Sequence, residues 1–217
     1  ELGRVYQADL PVIAGLGAMA EALSTLPVDV GAAARRAEWC TTLRTDYEAS
    51  LQPLPAEPSG VDLAEIMRHL QDVLPADTIV ANGAGNYTGW VHKYWRFNAF
   101  RSQLAPTSGA MGYGVPSAVA AKLVHPQRMV LSVNGDGCFL MNAQEMATGV
   151  QYGAHILYLV INNSSYGTIR MHQEREYPER VSGSALHNPD FAAMARSYGL
   201  AGERVVDTAS FVPAPAG

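Results

Sequence analysis

Two short apolar runs, 128–133 (RMVLSV) and 154–161 (AHILYLVI), constrain what this chain can fold into more than any other feature. Both are rich in Val, Ile and Leu with little polar alternation, the pattern of strands covered on both faces in a parallel sheet. Between them lies the helix-like stretch 138–153 (CFLMNAQEMATGVQYG). Parallel neighbours need a crossover of about this length, and such crossovers are right-handed, so few topologies remain. A polar cluster follows each run: Gly135-Asp136-Gly137 after the first and Asn162-Asn163 after the second. Both clusters thus fall beyond strand carboxyl ends, where open α/β sheets bind ligands.

Taken singly, each cluster has an ordinary reading. Gly-Asp-Gly is also a strand-to-helix turn with an Asp cap, and Asn-Asn pairs are common in loops. Their joint placement, with strand, helix and strand in between, is what points to a site. It supplies a carboxylate, an amide oxygen and a helix N-terminus beside a glycine turn. Those parts suit an oxygen-seeking Mg²⁺ ion that itself holds a diphosphate.

Helices and strands alternate around this unit. Residues 61–74 carry Val61, Ile66, Met67, Leu70, Val73 and Leu74 at helical spacing and run to Pro75. Residues 77–81 (DTIVA) read as a strand ending in the turn Asn82-Gly83-Ala84-Gly85, with a helix expected from about Tyr87. Gly109 to Gly114 forms another glycine-rich turn, and Pro116 suits the first turn of a helix reaching Val124. Residues 191–198 make a further helix closed by Gly199. The order predicts an α/β fold with a doubly wound, mostly parallel sheet. Upstream, Leu10–Ala14 leads through Gly15 and Gly17 into a helix-like run, 18–26, and a helical stretch, 32–50, precedes the Pro-rich segment Pro53 to Pro58. That segment cannot continue a helix and marks a boundary. The chain opens in helical-looking sequence (ELGRVYQ) and stops at SFVPAPAG, so it reads as a piece of a longer polypeptide.

With 48% hydrophobic and 16% charged residues, the chain has the composition of a globular protein. A net charge of −5 without a basic run gives no nucleic-acid footprint. No apolar stretch is long enough to span a membrane. Cys40 and Cys138 lie far apart without metal spacing, which fits a reduced, cytoplasmic protein.

The joint pattern resembles the cofactor signature of thiamin-diphosphate (ThDP) enzymes, above all the acetolactate-synthase and pyruvate-decarboxylase-like group. The resemblance covers 60–210 well and 1–30 loosely. It implies that 1–30 closes a middle α/β domain ("polar helix turn, short strand, helix"), that 31–59 is a helical linker, and that 60–217 is the diphosphate-binding domain, cut short at its C-terminus. It further implies Mg²⁺ held by Asp136, Asn163 and the backbone carbonyl of Ser165, with the N–H groups around Gly135, Gly137 and Cys138 facing the diphosphate. Cys138 stands where small polar residues are expected, and a packing role is its ordinary reading. Gly85, Asn86 and Tyr87 resemble the family's second diphosphate turn. Gly109 and Met111 match the loop that grips the aminopyrimidine, Met111 being the apolar wedge between the cofactor rings. Tyr166 and Gly167 would lie beside metal and cofactor.

No catalytic acid or base is assigned. The resemblance places the glutamate that activates the cofactor in a separate pyrimidine-binding domain, brought by a neighbouring subunit of a homodimer or homotetramer. Glu145 sits in the signature helix and reads as a packing or surface acid. Arg170 to Arg180, with His172, reads as a solvated helix face and loop. Trp90, His92, Tyr94, Trp95, Phe97 and Phe100 could stack nucleic acid, but only Lys93, Arg96 and Arg101 accompany them, so burial against a neighbouring subunit or domain is the expectation. The implied reaction is decarboxylation of a 2-oxo acid with ligation to a second one. A simple decarboxylase of the benzoylformate or indolepyruvate kind, a non-catalytic ThDP-binding module and one chain of a split enzyme are the alternatives. FAD would contact the middle domain and is left open. A Rossmann dehydrogenase is excluded because Thr88 stands where the third glycine of Gly83-x-Gly85 would be needed.

Overall fold

The computed structural model describes residues 2–27, 29–52 and 60–211. It divides into two compact units, Glu1–Gln52 and Pro53–Gly217. The Pro53–Pro58 segment lies outside the described residues.

The first unit holds helices α1 (Leu16–Ser24) and α2 (Val30–Ser50), the latter capped by Asp29, whose Oδ1 accepts the Gly31 N–H. Neither helix contains a buried residue. The short strand implied for Leu10–Ala14 is not formed, and residues 2–6 of the opening make turns and bends instead of a helix. Pro11 lacks a donor, the described residues of this unit offer no strand to pair with, and Ile13 is 89% exposed.

In the second unit, α3 (Leu63–Val73) begins at Asp62, whose Oδ1 accepts the N–H groups of Ala64 (2.8 Å) and Glu65 (3.3 Å). Its Ile66, Met67 and Leu70 are buried, as their spacing requires. Asp62→Ala leaves both N–H groups without this acceptor and is expected to cost about 1 kcal/mol, read as a lower urea midpoint at unchanged slope. There follow β1 (Ile79–Asn82), α4 (Thr88–Tyr94), β2 (Gln103–Leu104) and α5 (Gly114–Val124). Next come β3 (Val130–Gly135), α6 (Asp136–Phe139), a 3₁₀ turn (Ala143–Glu145), α7 (Met146–Gln151) and β4 (Leu157–Ile161). The elements end with α8 (Gly167–Glu176), α9 (Phe191–Ser197) and α10 (Thr208–Phe211).

The strands pair in the order β2-β1-β3-β4, parallel throughout. Ile79, Ala81 and Val130 of the sheet pack against Ala118 and Ala121 of α5. Val115, Phe139, Ala143 and Met146 form a second cluster, joined by Phe191 edge-on to Phe139 with ring centroids 5.6 Å apart.

Two expectations shift. β3 extends two residues beyond 128–133 because its pairing with β4 runs on to Gly135 opposite Ile161. The crossover is no continuous helix. Asn142 donates its Nδ2 to the Gly112 carbonyl (2.8 Å) and adopts φ −140°, which separates α6 from the 3₁₀ turn and α7. α7 then ends where Ala154 N–H reaches Gly149 O and Gly153 N–H reaches Val150 O, with Gly153 at φ +65°.

Candidate functional site

From β1 the chain passes to β2 on one side, while from β3 it passes to β4 on the other. The carboxyl ends of β1 and β3 therefore flank a topological switch point, where a crevice must open. A cavity of about 240 Å³ lies there. Its walls come from four places: Gly85, Asn86 and Tyr87 after β1; Gly109 and Met111 before α5; Gly135 through Cys138 at the β3–α6 junction; and Asn163 with Ser165 through Thr168 after β4. All the residues that the resemblance assigned to metal and cofactor lie on this one wall.

Asp136 is 2% exposed, and both of its oxygens are engaged. Oδ1 accepts the Gly137 N–H (2.9 Å), and Oδ2 accepts the Asn188 Nδ2 (2.7 Å). Gly137 N–H, expected to face a diphosphate, is thus turned to the neighbouring carboxylate. The two asparagines divide their tasks. Asn163 lines the cavity and its Oδ1 accepts the Ser165 N–H (3.1 Å). Asn162 Oδ1 accepts the Ser164 N–H (3.1 Å) and the Asn188 Nδ2 (2.8 Å).

Two tyrosine rings rest on the glycines. A Cβ on Gly137 would lie 2.7 Å from Tyr166 Cδ1, and one on Gly135 would lie 3.0 Å from the Tyr87 ring. Burial pushes the Tyr87 hydroxyl well above its ordinary value, and the Cys138 sulfur beside it adds to the shift, so Tyr87 stays neutral. Cys138, 3% exposed, accepts the Gly112 N–H at its Sγ (3.1 Å), which gives it a packing part in the loop that carries Met111. That loop turns sharply at Gly109 (φ +68°) and Gly112 (φ +83°), conformations that suit glycine.

Two residues make contacts that the sequence did not announce. Thr168 Oγ1 accepts the Asn86 N–H (3.0 Å) and donates to Asn86 Oδ1 (3.0 Å), so the turn after β1 is fastened to α8. Asn188 reaches Asp136 from a segment in which the sequence offered no motif. Other sequence candidates fall outside the cavity. Glu145 Oε2 accepts the hydroxyl of Thr148 in the adjoining α7 (2.8 Å). Arg170 pairs with Glu174 along α8, which has no buried residue, and His172 meets Arg175 there. Of the aromatic group, Tyr94 and Trp95 are buried by this chain itself, against the expectation of an outside partner, while Phe100 is 86% exposed.

The family described as "Thiamine pyrophosphate enzyme, C-terminal TPP binding domain" matches residues 83–215, which include the whole cavity wall. The chain belongs to the thiamine pyrophosphate enzymes. Within this family it is 31% identical to an acetolactate synthase large subunit of Parasynechococcus marenigrum over 210 residues, covering 95% of this chain and 34% of that protein. It is 32% identical to the acetolactate synthase large subunit of Lactococcus lactis over 204 residues, 92% of this chain and 35% of that one. Among solved structures it resembles the "Rhodococcus jostii RHA1 thiamine diphosphate-dependent 4-hydroxybenzoylformate decarboxylase" with a TM-score of 0.70 and 25% identity, over 75% of this chain and 31% of that chain. The chain spans about a third of the length of these relatives. The α/β fold with its parallel sheet is the one expected for such an enzyme. No helix among the described residues is long and apolar enough to cross a membrane.

Proposed function

We propose that this chain supplies the diphosphate- and Mg²⁺-binding half of a ThDP site that decarboxylates a 2-oxo acid and joins the product to a second 2-oxo acid, as an acetolactate synthase does. The observation that carries this reading is the convergence of Asp136, Asn163, Ser165 and Met111 on one cavity at the β1/β3 switch point. The donor set fits the ion. A carboxylate, an amide oxygen and a backbone carbonyl are hard ligands suited to octahedral Mg²⁺, with diphosphate oxygens and water completing about six positions. Asn163 Oδ1 retains a lone pair beyond the one given to Ser165 N–H.

When bound, ThDP supplies a carbon nucleophile and an electron sink for loss of carbon dioxide. The chain's own residues bind and orient. Asp136, Asn163 and Ser165 hold the metal and through it the diphosphate, while Gly85, Asn86 and Tyr87 form the opposite bank. The carbonyl of Gly109 and the N–H of Met111 would take the aminopyrimidine, and the Met111 side chain would pack against the cofactor's rings, its thioether being adaptable to aromatic faces. The activating glutamate comes from the pyrimidine-binding domain of a neighbouring subunit, so the assembly is a homodimer or a homotetramer. The first unit, with α1 and α2, is the tail of the preceding domain and its linker.

Acetolactate formation from pyruvate by the complete enzyme tests the reaction. Carbon dioxide and an aldehyde without a ligated product would favour the second reading, a simple decarboxylase, which the name of the Rhodococcus neighbour supports. Met111→Ala in the complete enzyme is expected to lower turnover by about 10- to 100-fold without a matching loss of thermal stability. A kinetically silent variant would remove Met111 from the cofactor's rings.

A further inference from the structure

The segment between α8 and α9 closes over the turn that follows β4. Ser184 O accepts the Tyr166 N–H (2.8 Å) and the Ser165 hydroxyl (3.0 Å), and Leu186 N–H donates to Ser164 O (2.8 Å). Ser165 and Ala185 form an antiparallel bridge, and Ser184 is 1% exposed. This pairing delivers Asn188 onto both polar clusters at once. Its Nδ2 donates to Asp136 Oδ2 (2.7 Å) and to Asn162 Oδ1 (2.8 Å). Two acceptors use both amide protons, which sets the orientation of the group; reversed, its oxygen would face a carboxylate and another amide oxygen. The Asn188 Oδ1 is buried without a partner, an expense this arrangement accepts in exchange for the two donations.

We propose that Asn188 is the positioning residue of the metal site. It ties the cluster beyond β3 to the cluster beyond β4 and holds the Asp136 carboxylate in the orientation that a divalent cation needs. The inference rests on the metal reading given above. Asn188 acts through Asp136 and is absent from the cavity wall. The neighbouring chain has its own anchors: Asp190 Oδ1 accepts the Ala193 N–H (3.0 Å) to cap α9, and the Ser165–Ala185 bridge holds the other side. Loss of the Asn188 amide should therefore loosen Asp136 and Asn162 without unravelling the segment.

Asn188→Ala is the test, read in two ways. In calorimetric titrations of ThDP at stepped Mg²⁺ concentrations, the variant should need at least about 10-fold more Mg²⁺ for half-saturation, the usual effect of removing a partner of a ligating carboxylate. Its affinity for ThDP at saturating Mg²⁺ should match the parent's. An unchanged Mg²⁺ requirement, in a parent that has one, overturns the positioning role and leaves the metal reading intact. A parent that binds ThDP with indifference to Mg²⁺ overturns both. The second readout, amide hydrogen exchange of the cofactor-free chain, decides the matter if the titration gives no heat. The N–H groups of Gly137 and Ser164 should exchange faster in the variant, with α5 and β1 unaltered. Equal protection at Gly137 and Ser164 overturns the proposal, and so does faster exchange throughout the second unit, which would mean a general loss of stability.

Discussion

Asp136→Ala is expected to abolish Mg²⁺-dependent binding of ThDP wherever the parent binds it. The residue combines three properties that alanine lacks. It contributes the carboxylate on the cavity wall, it is 2% exposed, and it accepts hydrogen bonds from Gly137 and Asn188. Removing the charge deprives the ion of its strongest protein ligand. Removing the acceptors leaves the Asn188 amide and the Gly137 N–H short of partners, so stability should also fall, by about 1–3 kcal/mol. Asp136→Asn keeps the size and one acceptor oxygen but not the charge, and its Nδ2 must face one of the two donors, so it should lose the metal with a smaller loss of stability than Asp136→Ala. Calorimetry with and without Mg²⁺ reads the binding loss, and chemical denaturation reads the stability. Unchanged affinity in Asp136→Ala would sink the metal assignment.

The largest effect on stability is expected where α5 meets β3 and the turn after β1. A Cβ on Gly114 would collide with Asn134 Oδ1, lie 2.9 Å from Asn134 Cγ, and lie 3.0 Å from the backbone N of Gly83. Asn134 cannot retreat: it is fully buried in β3 and donates its Nδ2 to Ser132 Oγ (2.9 Å). Gly83 cannot move without dragging the turn after β1. Gly114→Ala should therefore destabilise the protein by about 3 kcal/mol, at the upper end of overpacking costs. Gly89→Ala is the matched control, since a Cβ there meets nothing within 4 Å and Gly89 lies within α4. It should be neutral or stabilising by about 0.5–1 kcal/mol. Equal denaturation midpoints for the two variants would show that the packing between α5, β3 and the β1 turn is looser than these distances imply.

What could be read from the chain alone was local or strictly periodic. The runs 128–133 and 154–161 became β3 and β4, with ends moved by two or three residues, because continuous apolar stretches between turn residues record burial on both faces. The helix over 61–74 was legible because its apolar residues recur at helical spacing, and the closure of α9 before Gly199 because a glycine cap acts on its immediate neighbours. Gly135-Asp136-Gly137 and Asn162-Asn163 pointed to one place because parallel strands joined by a crossover must end on the same edge of the sheet.

Contacts between distant segments were a different matter. The crossover reads as one helix in sequence, and it breaks because Asn142 finds the Gly112 carbonyl, thirty residues away. Leu10–Ala14 is apolar enough for a strand, but a strand needs a partner and the described residues of its unit supply none. Asn86 looks like a free cofactor contact until α8 brings Thr168 to it. Asn188 carries no signal in the sequence, and the Ser165–Ala185 bridge brings it to Asp136. The sequence by itself determined the strand edge on which the site stands and the chemical types gathered there, since periodicity and turn chemistry are encoded within a few residues. Only the tertiary structure decided which side chains hold those groups in place, because hydrogen bonds between remote residues depend on the folded path and leave no spacing to read.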